Sequence, residues 1–197
     1  IRARLVGSEM CIRDSINMYG GTGGMNVKDR GVRFGSLLGS SVTSSSADLL
    51  VRGDDLEYDD LVVGFVNTLE STGTAVMESQ GSGFSSTFDY KNFDLGSSVS
   101  SLRIGKTSNS ANVEVYDQVS IAGPISIYGG DVTLNDSLSN VSSTISLHGS
   151  GSVIDGPNGY IVSDRLGLYD GMITLDNPNN NIGVIAGSNL DGLKYLD

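Results

Sequence analysis

The fold is decided by a ten-residue stretch, ISIYGGDVTL at positions 125–134. It recurs as LGLYDGMITL at positions 166–175, and a related segment, ISLHG with VI four residues further on, lies between them at 145–154. The copies begin at positions 125, 145 and 166, so their spacing is nearly constant. Each copy alternates apolar and other residues on both sides of a Gly-containing corner, which predicts short β-strands. Self-similarity at a period of about 20 residues is typical of a solenoid.

Stacking explains how such coils would fold. A single coil of about 20 residues buries little apolar surface, but parallel stacking at about 4.8 Å pairs each strand with neighbours above and below. Inward side chains then form continuous ladders, and each buried aliphatic side chain contributes roughly 1.5–3 kcal/mol. We predict three ladders: Ile125, Ile145 and Leu166; Ile127, Leu147 and Leu168; Val132, Val153 and Ile173.

The composition agrees with an all-β solenoid and excludes several classes of protein. The 197 residues include 27 Gly, 30 Ser and 14 Asn, which suit tight corners, and no Trp, for which a narrow interior has no place. The net charge of −11 argues against a nucleic-acid partner. No apolar run reaches the length of about 18 residues that a membrane span needs. One Cys makes neither an internal disulfide nor a zinc site of several cysteines.

The start of the chain differs in character from the rest. Residues 5–15, LVGSEMCIRDS, resemble a translated sequencing-library adapter. We therefore expect residues 1–15 to be non-native and the chain to be an internal fragment, open at both ends. Without them Lys and Arg fall from 12 to 9, Asp and Glu fall from 23 to 21, the net charge becomes −12, and the only Cys is lost.

The repeat divides the remaining chain into two regions. Residues 101–197 are predicted to be regular solenoid coils, and residues 16–100 an irregular β-rich region of degenerate coils. Within the latter, residues 61–66 predict a buried strand and residues 40–46, which are rich in Ser, predict a loop. The pattern assigns no position to an aromatic cluster of Phe84, Phe88, Tyr90 and Phe93.

The regular half resembles a known family. The similarity is to filamentous-haemagglutinin-like bacterial surface exoproteins, and the order and spacing of degenerate repeats carry it. It implies a right-handed parallel β-helix in a protein exported to the cell surface or medium, serving mostly adhesion. The resembling segments are residues 101–106 (SLRIGK), 121–130 (IAGPISIYGG), 151–159 (GSVIDGPNG), 173–177 (ITLDN) and 181–186 (NIGVIA).

Residues able to carry out chemistry are few. A Ser-His-Asp triad needs a His as its base, and the only one, His148, stands at the repeat position of Tyr128 and Tyr169. We therefore predict that it belongs to a stacking ladder. Residues 20–24 (GGTGG) are rich in Gly, but Asn26 replaces the last Gly of a dinucleotide-binding fingerprint, so we predict a flexible loop.

Carboxylates offer the remaining candidate sites. An acidic run could hold calcium weakly, but it lacks the EF-hand spacing and is better explained as a solvated loop; it comprises Asp54, Asp55, Glu57, Asp59 and Asp60. We predict that Asp131, Asp170 and Asp176 cap corners. Two glycosylation acceptors, at residues 135–137 and 140–142, are interpreted as incidental. We accordingly assign no catalytic, cofactor-binding or metal-binding residue.

Two functional hypotheses follow. The first is a non-catalytic structural or adhesive shaft fragment of a secreted, outer-membrane-associated exoprotein. Other parts of that protein would bind ligands or glycans on host or neighbouring cells, and this fragment would neither bind nucleic acid nor insert into a membrane. The alternative is a carbohydrate-active β-helix enzyme, a polysaccharide lyase or glycosidase, which needs convergent carboxylates or a calcium site. The scarcity of charged residues in the repeats favours the shaft.

Overall fold

The computed structural model describes residues 15–19, 31–34, 41–44, 48–58 and 67–196. The adapter-like residues up to 14, the Gly-rich residues 20–24 and the strand predicted at 61–66 lie outside these residues. Every regular element among the described residues is a β-strand. These residues contain no helix long and apolar enough to span a membrane. The prediction of an all-β fold is confirmed.

Eighteen strands are described. In chain order they are β1 (Ser15–Tyr19), β2 (Gly31–Phe34), β3 (Ser41–Ser44), β4 (Asp48–Arg52), β5 (Asp55–Tyr58), β6 (Asn67–Ser71), β7 (Thr74–Glu78), β8 (Phe88–Tyr90), β9 (Phe93–Leu95), β10 (Ser101–Ile104), β11 (Val113–Val115), β12 (Val119–Ser120), β13 (Ile125–Leu134), β14 (Leu138–Asp155), β15 (Ile161–Tyr169), β16 (Met172–Leu175), β17 (Asn181–Ser188) and β18 (Gly192–Tyr195).

All pairings between these strands are parallel, and each coil runs along three faces. The first face stacks β1, β4, β7, β10, β13, β14, β15 and β17 in that order. The second face carries β2 with β5, and β8, β11, β13, β14, β16 and β18. The third face carries β3, β6 and β9, and also β12, β14, β15 and β17. The longest strands bend at corners and so contribute to more than one face, which makes the chain a β-solenoid.

The pairing register confirms the predicted period. On the first face Leu102 pairs with Ile125, Ile125 with Ile145, Ile145 with Leu166, and Leu166 with Ile185. Each of these steps is close to the predicted repeat of about 20 residues. The extra residue in the middle copy is absorbed by a register shift opposite residues 129–131. A short period therefore holds across four successive steps.

The three predicted ladders form the core of the regular coils. All nine side chains are at most 1% exposed, and each lies beside its counterpart in the next coil. Outward positions alternate with them in β13, where buried and partly exposed residues follow one another from Ile125 to Tyr128. This alternation is what one buried and one solvated sheet face produce.

Earlier coils are longer, which explains why the short period is lost there. On the first face Leu49 pairs with Ala75 and Ala75 with Leu102, and both steps exceed those of the regular coils. The aromatic cluster occupies the interior of this part. Its four members are at most 7% exposed, and Phe88 and Tyr90 take ladder positions that Val113 and Val115 hold in the next coil.

Ring contacts hold the aromatic cluster together. Phe84 stacks on Phe88 with centroids 4.8 Å apart, and the Tyr90 and Phe93 centroids are 5.5 Å apart. Burial, with smaller contributions from Asp117 and Asp94, raises the pKa of Tyr90 well above its ordinary value. Large rings thus fill the interior of a longer coil, where aliphatic side chains suffice in a shorter one.

The expectation of a loop at residues 40–46 was wrong for most of that segment. Residues 41–44 form β3, which pairs in parallel with β6 on the third face. Ser-rich composition is typical of loops, but Val42 and Thr43 are β-branched and suit a strand. Pairing with a neighbouring coil satisfies the backbone here, whatever the local composition.

The ladders predict a steep dependence of stability on inward positions. Truncating Leu147→Ala, which is 0% exposed, is expected to lower the free energy of unfolding by about 2–5 kcal/mol because it leaves a cavity inside the stack. The matched control is Ile154→Ala on the same strand, where the side chain is 38% exposed. Urea denaturation measures both; equal losses would contradict the assignment of inward and outward faces.

Candidate functional site

Three aromatic side chains stack on the outer surface of the first face. Tyr128, His148 and Tyr169 are aligned by the register of β13, β14 and β15. The imidazole centroid lies 4.2 Å from each neighbouring ring, with interplanar angles of 17° to Tyr128 and 5° to Tyr169. This confirms the predicted stacking ladder, and we call the three residues the aromatic stack.

Burial between two rings alters the titration of His148. Burial lowers the pKa of His148 from its ordinary 6.5, and the Asp170 carboxylate acts in the opposite direction. Both faces of the imidazole are covered by tyrosines. The arrangement suits a neutral ring held in place for packing.

The ends of the aromatic stack are set by small residues. At one end, Ser188 of the following coil pairs with Tyr169. At the other end, Gly105 stands opposite Tyr128 in the preceding coil, because the residue before it pairs with Ile127. Gly105 has φ of 72°, and a Cβ there would collide with the Tyr128 carbonyl oxygen. A glycine is therefore required at this end for both backbone and steric reasons.

A charged cluster lies in the same outward column, nearer the N-terminus. Glu78 is 4% exposed. It forms ion pairs with Arg52 of the preceding coil and Arg103 of the following coil. The Arg52 Nε lies 2.7 Å from Glu78 Oε1, and the Arg103 Nη2 lies 2.5 Å from Glu78 Oε2. One buried carboxylate thus joins three coils, and removing it would leave two guanidinium groups facing each other.

Two carboxylates meet on the outer surface of the second face. Asp89 in β8 pairs directly with Glu114 in β11. Partial burial, followed by the charge of Glu114, raises the pKa of Asp89, and Lys91 opposes this. The Tyr116 hydroxyl donates to Glu114 at 2.5 Å. The sequence analysis did not single out this pair, because Asp89 and Glu114 are far apart in the chain and only the register brings them together.

The predicted corner carboxylates act mainly on neighbouring coils. Asp170 adopts φ of 64° at a corner, and Asp131 accepts a hydrogen bond from the Ser152 hydroxyl at 2.8 Å. Asp176 forms an ion pair with Lys194. A further residue, Asp155, does the most: it accepts hydrogen bonds from the backbone of residues 176 and 177 and from Asn180, at 2.9–3.0 Å.

The acidic run is divided between described and undescribed residues. Asp54 accepts a hydrogen bond from the Gly81 N–H at 2.7 Å, so it links two coils. Asp59 and Asp60 lie outside the described residues, as do the side chains of Asp55 and Glu57. Among the residues that the structure does describe, no three acidic, His or Cys side chains cluster as metal ligands would.

Buried asparagines are functional elements of the fold that the sequence analysis missed. Asn109 is 6% exposed; its carbonyl oxygen accepts from the Phe84 N–H at 3.0 Å, and its amide donates to the Tyr128 carbonyl at 2.8 Å. It therefore connects three coils. Asn140 is fully buried and donates to the Gly123 and Thr144 carbonyls, so this glycosylation acceptor is inaccessible in the folded chain.

Comparison of the chain with models of protein families, with curated proteins and with solved structures gave no match. Chemically, the stack offers ring surfaces at its ends, and the Asp89–Glu114 pair offers two neighbouring carboxyl groups, one of which has a raised pKa.

Replacing a buried asparagine tests its connecting role. Asn109→Ala is expected to lower stability by about 1–3 kcal/mol for each buried group left without a partner. Asn158→Ala, at an exposed corner, is the control and should change stability by at most about 0.5 kcal/mol. Thermal denaturation followed by circular dichroism measures both. Similar melting temperatures for the two variants would refute the connecting role.

The lowered pKa of His148 predicts a pH dependence of stability. Because the folded state binds the proton less readily than the unfolded state, the stabilising effect is present above pH 6.5 and is lost as pH falls below it. The wild type should therefore lose more thermal stability than His148→Tyr between about pH 7.5 and about pH 5.5. Tyr keeps the stack and removes the titration; identical pH profiles would contradict the prediction.

Proposed function

We propose that this chain is a non-catalytic shaft segment of a large bacterial surface exoprotein that serves adhesion. The proposal joins the β-solenoid fold to the resemblance of residues 100–197 to filamentous-haemagglutinin-like repeats. The parent protein would be secreted or associated with the outer membrane. Its attachment to ligands or glycans of host or neighbouring cells would depend mainly on other parts of it.

The continuity of the core is the observation that carries this proposal. Ladder side chains follow one another on the first face from Leu49 to Leu166, each at most 1% exposed. A stack of this kind resists bending because tilting one coil would open contacts along all three faces. That property suits a spacer that holds a binding element away from a cell.

The side chains best suited to chemistry also support a structural role. His148 is sandwiched between two tyrosines, Asp155 is occupied by three hydrogen bonds from the next corner, and Glu78 is held between two arginines. Each joins neighbouring coils. Groups engaged in contacts between coils stabilise the stack and are not free to bind a substrate.

A carbohydrate-active enzyme is the second candidate, and the Asp89–Glu114 pair favours it. Neighbouring parallel strands are about 4.8 Å apart, close to the carboxylate separation of about 5–5.5 Å in retaining glycosidases. The raised pKa of Asp89 is what a general acid needs, and Glu114 would be the nucleophile. Against this, the Tyr116 hydroxyl already occupies an oxygen of Glu114.

An activity assay separates the two candidates. The chain is incubated with pectin-like polymers, and reducing ends and unsaturated products are measured. The shaft proposal predicts no turnover above that of the Asp89→Asn and Glu114→Gln variants. Turnover that either variant abolishes would replace the shaft proposal with the enzyme.

A second experiment tests the spacer role itself. The chain is displayed on a bacterial surface between a membrane anchor and a binding domain of known ligand, and attachment to ligand-coated glass is measured under flow. We expect attachment to persist with the wild-type chain and to fall for Leu147→Ala, which weakens the stack. Attachment that is the same with the wild-type chain, with Leu147→Ala and without the chain would contradict the spacer role.

A further inference from the structure

The outer end of the aromatic stack presents a ring face that the next coil leaves open. One face of Tyr169 is covered by His148 at 4.2 Å, and the position above its other face is occupied by Ser188. Tyr169 is 37% exposed. Because Ser188 belongs to a described coil of this chain, the opening is produced by a short side chain in the column.

The Tyr169 ring is held parallel to the His148 ring. A Cβ at Gly167, two residues earlier on the same strand, would lie only 3.0 Å from Cε2 and 3.1 Å from the hydroxyl oxygen of Tyr169. The ring therefore lies over a glycine, and its angle to His148 is 5°. Its orientation is set by stacking on one side and by the backbone beneath it.

Polar groups border this ring at the adjoining corner. Asp170 follows Tyr169 directly, and its carboxylate is close enough to the stack to influence the pKa of His148. The Asn189 Nδ2 lies 3.4 Å from Asp170 Oδ1. Both residues adopt the left-handed backbone region, with φ of 64° and 58°, which fixes the two corners alike.

We propose that Tyr169, Ser188, Asp170 and Asn189 form a binding subsite for a neutral sugar ring. A pyranose has a face of C–H groups that packs on an aromatic ring, while its hydroxyls need both acceptors and donors at the edge. The ring, a carboxylate, an amide and a hydroxyl supply these. The net charge of −11 and the carboxylate of Asp170 disfavour anionic sugars.

This subsite goes beyond the proposed shaft function, which places ligand binding mainly in other parts of the protein. A single stacking platform binds weakly, but many copies of a surface protein on one cell would bind multivalently. The shaft proposal does not depend on the subsite. A chain that binds no sugar would still be a shaft, so the two proposals fail separately.

Saturation-transfer NMR tests the subsite on the full chain. The probe is methyl β-D-galactopyranoside at millimolar concentration, because its axial O4 gathers the C–H groups on one face. We expect saturation of these ring protons by the wild type and loss of the signal in Tyr169→Ala. Ser188→Leu is the sharper variant, because a branched aliphatic side chain covers the Tyr169 ring without presenting a new aromatic face, so it should also abolish the signal.

Ser120→Leu is the matched control, because it makes the same change at an exposed position on the third face and should leave the signal unchanged. Thermal denaturation shows that each variant is folded. An absent signal with the wild type, or an unchanged one with Ser188→Leu, overturns the proposal. Binding of L-tryptophanamide without binding of the galactoside overturns it too, in favour of an aromatic protein partner.

Discussion

In-register parallel stacking of apolar side chains is the constraint on which the rest of this molecule depends. Val132, Val153 and Ile173 are distant in the chain, yet each packs on the next because their strands pair residue for residue. A shift of one residue would turn every inward side chain outward. Each coil must therefore return to the same register, and differences in coil length are taken up at register shifts and corners.

Corners meet this constraint by fastening each coil to its neighbours. Asn109, Asn140 and Asp155 form hydrogen bonds from one coil to the backbone of neighbouring coils. Backbone groups at corners have no strand partner, so such side chains satisfy them where water is excluded. The same logic extends to the outer column, where Glu78 and His148 join successive coils by charge and by stacking.

Much of this architecture could be predicted from the sequence where coils are short. The spacing of Ile127, Leu147 and Leu168 indicated strands, register and ladders, and the shared repeat position of His148 and its tyrosine neighbours indicated the stack. Longer coils hid the same pattern, because their longer steps, filled by rings such as Phe88, break the period.

Other features depend on contacts that no local pattern reveals. Asp89 and Glu114 become neighbours only once two coils are stacked, and the role of Asn109 depends on which carbonyl and N–H lie in the adjoining coils. The open face of Tyr169 likewise follows from Ser188 standing at the same position of the next coil. Surface sites on a solenoid are therefore set by register.

The most direct test of in-register stacking is a methyl NOE experiment on a selectively labelled chain. Methyl groups of Ile127, Leu147 and Leu168 should give strong cross-peaks between Ile127 and Leu147 and between Leu147 and Leu168. No comparable cross-peak should join Ile127 to Leu168, because two coil spacings separate them. A strong cross-peak between Ile127 and Leu168, or the absence of cross-peaks between successive members, would contradict a parallel in-register stack.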